Sequence, residues 1–421
     1  MPASAGEEIH RTVLASGIRV VTERMPEARS VTAGFWVSIG SRDESPELSG
    51  ASHFLEHLLF KGTEKRTARE IAETVDAVGG EMNAFTAKEH TAYYARLPAT
   101  ELGLGLDLLS DVVTAPSFRL NEVEAERQVI LEELLMDEDD PDDMVHTLLF
   151  EALFPDHPLG WETVGTRESI ETLQRDDIAG FFAEHYHPVN LVVAAAGALD
   201  HDEVVAGVEA CFAGRTGGER PPRQAPQLPP VPVVVRRRDT EQAHVALGWR
   251  AVAFDDPARY ALAVLNQVLG GGMASRLFQE VREERGLAYS VGSGTSLYAD
   301  AGAMVVYVGT AIGRSTEALT VIDGVIADLV ASGITARELE VAKGYLSGSM
   351  VLGLEDSGSR MGRLGSSETV RGFVTSVDEH LARIGEVSLD DVHQVAARVL
   401  GGPRTLSAVG PFDEDRFAAV V

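Results

Sequence analysis

One cysteine, Cys211, is the whole thiol complement of this 421-residue chain, so no intrachain disulfide can form and a disulfide-stapled scaffold is excluded. Basic residues are also scarce: 36 Lys and Arg stand against 65 Asp and Glu, a formal charge of −29. The longest basic run is Arg236, Arg237 and Arg238. So acidic a surface repels phosphate backbones, which argues against nucleic acid as a partner and favours cationic ligands such as basic peptides. No apolar run approaches the ~18 residues needed to span a bilayer. The first residues contain neither a basic stretch nor an apolar core of the kind that directs secretion, so the expected compartment is the cytoplasm, with no membrane partner. What is present, 44% hydrophobic and 24% charged residues, is the composition of a globular protein, and the length suits two domains.

Residues 215–232 concentrate Pro and Gly near the chain midpoint, where extended backbone is favoured over helix. The halves on either side read alike. Each opens with an alternating strand (30–40; 242–250) followed by a helical stretch (48–61; 257–269). Two strands follow (81–87 and 91–97; 288–297 and 302–309), then amphipathic helices (101–115 and 121–136; 315–331 and 335–351). The expectation is an α+β protein of two duplicated domains, each a mostly antiparallel sheet packed with helices. Its limits are 1–218 and 239–421, with a Pro-rich linker at 219–238.

The first long helix carries His53-Phe-Leu-Glu56-His57. Two histidines four positions apart lie on one helix face about a turn from each other, the spacing of a two-point metal grip. Glu56 flanks that face and can take a proton from a water activated by the metal, as a general base. The arrangement is the inverted form of His-Glu-x-x-His. Chance predicts only about 0.03 occurrences in a chain of this length and composition. The apolar neighbours Phe54, Leu55, Leu58, Leu59 and Phe60 imply a buried helix, where unpartnered His and Glu are costly. A tetrahedral zinc needs a third protein ligand. The acidic stretch that follows offers Glu122, Glu124, Glu126, Glu132 and Glu133, and residue types alone do not choose among them. The acidic run at 137–143 reads as a solvated loop.

Residues 53–63 resemble, almost letter for letter, the catalytic signature of the pitrilysin and mitochondrial-processing-peptidase metallopeptidases. The resemblance implies a third ligand about 76 residues after the second histidine, and 133 − 57 = 76, so Glu133 takes that role and Glu126 orients a ligand from behind. Residues 80–91, with Asn83 and Ala84, resemble the family's edge strand, which pairs with substrate backbone. Residues 275–291 resemble its substrate-binding segment, making Arg282 and Tyr289 donors to a peptide carbonyl or developing oxyanion. The second half has no histidine between His244 and His380, matching the family's division into a metal-bearing domain and a substrate-clamping one.

The implied function is that of a zinc endopeptidase, with one Zn2+ per chain, acting on extended or unfolded, preferentially basic peptides. Family members with four such domains enclose a chamber, so a two-domain chain is expected to complete one as a homodimer. The competing expectation is a non-catalytic or partner-dependent subunit of a processing peptidase or respiratory-complex scaffold.

Overall fold

Alternation of small and β-branched residues builds strands here that are buried on both faces. In the strand Ser30–Val37, Val31, Ala33, Phe35 and Val37 join one apolar cluster while Trp36 joins another. The computed structural model describes residues 8–413, 416 and 417. Its first half runs β1 (Ile9–Val13), β2 (Arg19–Arg24), β3 (Ser30–Val37), α1 (Ala51–Leu59), α2 (Ala68–Ala77), β4 (Glu81–Thr86) and β5 (Thr91–Pro98). It continues through α3 (Leu102–Thr114), α4 (Leu120–Asp139), α5 (Pro141–Leu153), α6 (Arg167–Thr172), α7 (Arg175–His185), β6 (Leu191–Gly197) and α8 (His201–Cys211). The second half comprises β7 (Val233–Arg237), β8 (Gln242–Ala251), α9 (Arg259–Leu269), β9 (Ala288–Leu297), β10 (Gly302–Ala311), α10 (Ser315–Ser332) and α11 (Ala336–Gly353). It ends with α12 (Ser357–Arg371), α13 (Val377–Glu386), α14 (Leu389–Val399) and β11 (Arg404–Gly410).

The first sheet has the order β1-β2-β6-β3-β5-β4 and the second β7-β11-β8-β10-β9. Without β1 the two orders are the same, each with one parallel pair (β2 with β6, β7 with β11) and otherwise antiparallel neighbours. The α+β class and the duplication are therefore seen in the topology itself. Among the described residues no single helix is long and apolar enough to cross a membrane.

The compact units interleave along the chain. One takes the described residues up to Leu134, Glu162–Arg223 and Val351–Val377; the other takes Leu135–Trp161, Gln224–Met350 and the described residues from Asp378 on. They differ from the expected limits of 1–218 and 239–421 because each half contributes a helix to the other half's sheet. In the first unit α12 lies on β2, β3 and β6. Small residues Ala194 and Ala196 open that face, and Met361 and Leu364 fill it beside Trp36. Charged anchors surround the contact: fully buried Glu23 pairs with Arg360 and with Arg363 at 3.0 Å, and fully buried Glu368 pairs with Arg11 at 2.9 Å and Arg19 at 3.6 Å. In the second unit α5 lies on β8 and β11, packing Val145, Leu148 and Leu149 against Ala246 and Val409.

Two local expectations change. The stretch 219–238 is not all linker, because the β-branched run Val233, Val234 and Val235 pairs in parallel with β11 as β7. The acidic run 137–143 is not a loop. The helix α4 runs to Asp139, Asp140 caps α5 by accepting from Asp142 N–H at 2.8 Å, and Pro141 opens the first turn of α5.

Candidate metal centre

Helix α1 is short and its start is held from outside the helix. At its start Gly50 adopts φ +91°, where a Cβ would meet Val164 O at 2.6 Å and Ile170 Cδ1 at 2.7 Å, so only glycine fits the turn. The Glu44 carboxylate supplies an external cap, accepting from Gly50 N–H at 2.8 Å and Ser52 N–H at 2.7 Å. Burial pushes the Glu44 carboxyl up to about 8. Phe54, Leu55, Leu58 and Leu59 bury the apolar face of α1, as the sequence pattern requires.

Helix α4 brings the carboxylates. Its buried stripe, Val123, Glu126, Arg127, Ile130 and Leu134, has helical period but includes two charges, and both are partnered. Arg127 donates to Ile170 O and to Leu173 O at 2.7 Å. The Oε2 atom of Glu126 lies 3.1 Å from His57 Nδ1, and its Oε1 lies 2.7 Å from Lys61 Nζ. Glu133, two turns further on, stands half exposed at the rim.

The site is the meeting of these two helices. His53 Nε2 and His57 Nε2 each lie 3.7 Å from Glu133 Oε2. Ligand atoms of His53, His57 and Glu133 all fall within 4.8 Å of one another, and among the described residues no other such group of three or more His, Cys, Asp or Glu occurs. Tetrahedral zinc with ligands about 2.1 Å away separates them by about 3.4 Å, so two nitrogens and one oxygen at these distances fit zinc. Burial, with His57 adding to it, lowers His53 to about 4, which keeps the ring in the neutral form that binds metal. Glu56 is half buried beside them, and burial raises its carboxyl above the usual range. Thr86, the last residue of β4, partly opposes that rise, and its hydroxyl lies 3.5 Å from Ser52 O of α1.

Of the remaining expected residues, Asn83 and Ala84 lie in β4, the end strand of the first sheet, which pairs with β5 alone among the described residues. Asn83 Oδ1 accepts from Ala84 N–H at 2.8 Å. Arg282 and Tyr289 come together in the second unit. The guanidinium lies 4.5 Å above the Tyr289 ring and donates to Tyr289 O at 3.1 Å, and Tyr289 is 80% exposed. Sequence reasoning missed Glu44, Lys61 and Thr86. Only Lys61 had a readable signal, four places after His57; the other two act across loops and strands.

The profile described as Insulinase (Peptidase family M16) matches residues 19–167, and that of the Peptidase M16 inactive domain matches residues 172–346. An uncharacterized zinc protease of Streptomyces coelicolor is 48% identical over 96% of this chain and 90% of its own. One of Bacillus subtilis is 39% identical over 96% of this chain and 98% of its own. In fold, a protease from Helicobacter pylori superposes with a TM-score of 0.87 at 23% identity, covering 96% of this chain and 100% of that one. A Pseudomonas fluorescens protein titled as a peptidase M16 inactive domain gives 0.90 at 22% identity, covering 96% and 98%. The chain belongs to the M16, pitrilysin-like peptidase family, and its relatives carry the name zinc protease.

Proposed function

We propose that this protein is a zinc-dependent endopeptidase for extended or unfolded peptides. The observation that carries the reading is the convergence of His53 Nε2, His57 Nε2 and Glu133 Oε2 beside the half-buried carboxyl of Glu56. His53, His57 and Glu133 would hold the zinc. Bound there, zinc supplies Lewis acidity, polarising a peptide carbonyl and lowering the pKa of a water. Glu56 takes the proton from the attacking water and returns it to the amine nitrogen as the C–N bond breaks. Burial raises the basicity of Glu56, which suits it to that proton transfer. The edge of β4 around Asn83 and Ala84 receives substrate as an added strand, using main-chain hydrogen bonds that make little demand on sequence. Exposed Arg282 and Tyr289 donate to substrate carbonyl or oxyanion. In this reading two chains associate into a chamber, each offering its Arg282 and Tyr289 to the metal site of the other, and the charge of −29 favours basic peptides.

The test is hydrolysis of a quenched basic peptide of roughly twenty residues by wild type and Glu56→Gln, with zinc content measured on both. Loss of about 10²–10⁴ in rate with zinc retained is the expected result for removing a general base. A wild type that is zinc-loaded yet inert would refute self-sufficient catalysis and favour a partner-dependent or scaffold subunit.

A further inference from the structure

The two histidines of the metal centre are supported differently. His53 Nδ1 is buried and has no hydrogen-bond partner among the described residues, so packing alone orients that ring. His57 Nδ1 faces the Glu126 carboxylate at 3.1 Å, which fixes the tautomer with its proton on Nδ1 and the Nε2 lone pair toward Glu133. Glu126 is only 5% exposed. With Oε2 engaged by His57, the buried Oε1 needs a partner of its own, because a buried polar atom left unpaired is costly. Arg127, its chain neighbour, is turned away toward Ile170 O, Leu173 O and Glu124. The one cation paired with Glu126 among the described residues is Lys61, at 2.7 Å.

We propose that Lys61 is a positioning residue for the metal centre: acting through Glu126, it fixes the tautomer and ring angle of His57 and so sets the affinity for zinc. The proposal rests on His53, His57 and Glu133 being the zinc ligands. It makes the His57 arm the tuned one and leaves the His53 arm to packing. Partners behind a metal ligand are typically worth about 10–100-fold in affinity, and a group one step further out belongs at the lower end, about tenfold.

The experiment is competition of the whole protein against a fluorescent zinc chelator at one pH, for wild type, Lys61→Met, Lys61→Gln, Lys61→Arg, Glu126→Gln and the double variant Glu126→Gln with Lys61→Met. The expected result is zinc affinity about tenfold weaker in Lys61→Met and Lys61→Gln, with Lys61→Arg restored to within about threefold of wild type. In the Glu126→Gln background, Lys61→Met should cost nothing further, and metal-free Lys61→Met should melt with wild type. Lys61 is 35% exposed at its side chain, so these variants are expected to fold. Wild-type affinity in both neutral variants, or an equal loss with and without Glu126, overturns the proposal while leaving the metal site standing. A folded wild type that takes up no zinc overturns the ligand assignment and the proposal together.

Discussion

Two glycines one turn apart on α12 should respond oppositely to the same substitution. An alanine Cβ at Gly365 would fall 2.1 Å from Trp36 Cε2 and 2.2 Å from its Nε1. That ring cannot retreat: Trp36 is 2% exposed, its Nε1 faces Met361 Sδ at 3.3 Å, and Phe85 and His90 pack on it. At Gly362 an added Cβ meets nothing within 4 Å. Replacing a helical glycine by alanine is worth about 0.5–1 kcal/mol, so Gly362→Ala should stabilise by that amount. Gly365→Ala gains the same propensity but overpacks a tight contact, costing about 1–3 kcal/mol or more, so the net is loss. Urea midpoints and melting temperatures measure both, at about 2–4 °C per kcal/mol in units of this size. A Gly365→Ala protein as stable as Gly362→Ala would mean that α12 does not lie on the first sheet at Trp36, and the helix exchange would be refuted.

Glu133→Ala should purify without stoichiometric zinc while keeping a folded circular dichroism spectrum; elemental analysis showing full zinc would remove Glu133 from the ligand set. Glu44→Ala strips two backbone N–H groups of α1 of their acceptor and should destabilise the protein by about 2 kcal/mol, read from urea unfolding. His90 is held down to about 4 by burial, with Arg223 adding to it, so the unfolded chain binds this proton more readily than the folded one. Its contribution is full above pH 6.5 and is lost as pH falls toward 4, amounting to about 3 kcal/mol. His90→Phe should flatten the acid loss of stability by about that amount, and an unchanged slope would count against the buried neutral ring.

Local rules made much of the site legible without coordinates. Histidines at i and i+4 share a helix face whatever surrounds them, and the apolar residues around Glu56 bury that helix, so α1 and the pairing of its histidines could be read from ten residues. Two runs of matching periodicity announced the duplicated sheets for the same reason: strand and helix periods are properties of neighbouring residues. The acidic run 137–143 was misread because composition suggested repulsion, while the Asp140 and Pro141 pair, a helix start, was the stronger local signal. Long-range choices were a different matter. Five glutamates were open as third ligand until the family likeness singled out Glu133, and only packing brings its Oε2 to 3.7 Å from both imidazoles. The exchange of α5 and α12 was invisible, because nothing in an amphipathic helix names the sheet that will cover it. The sequence by itself therefore determined the helix that carries both histidines, the period of most elements and the duplication. Tertiary structure alone decided which groups meet around that helix, since the Glu44 cap on its first turn and the pairing of Glu126 with both His57 and Lys61 depend on chain segments meeting in space.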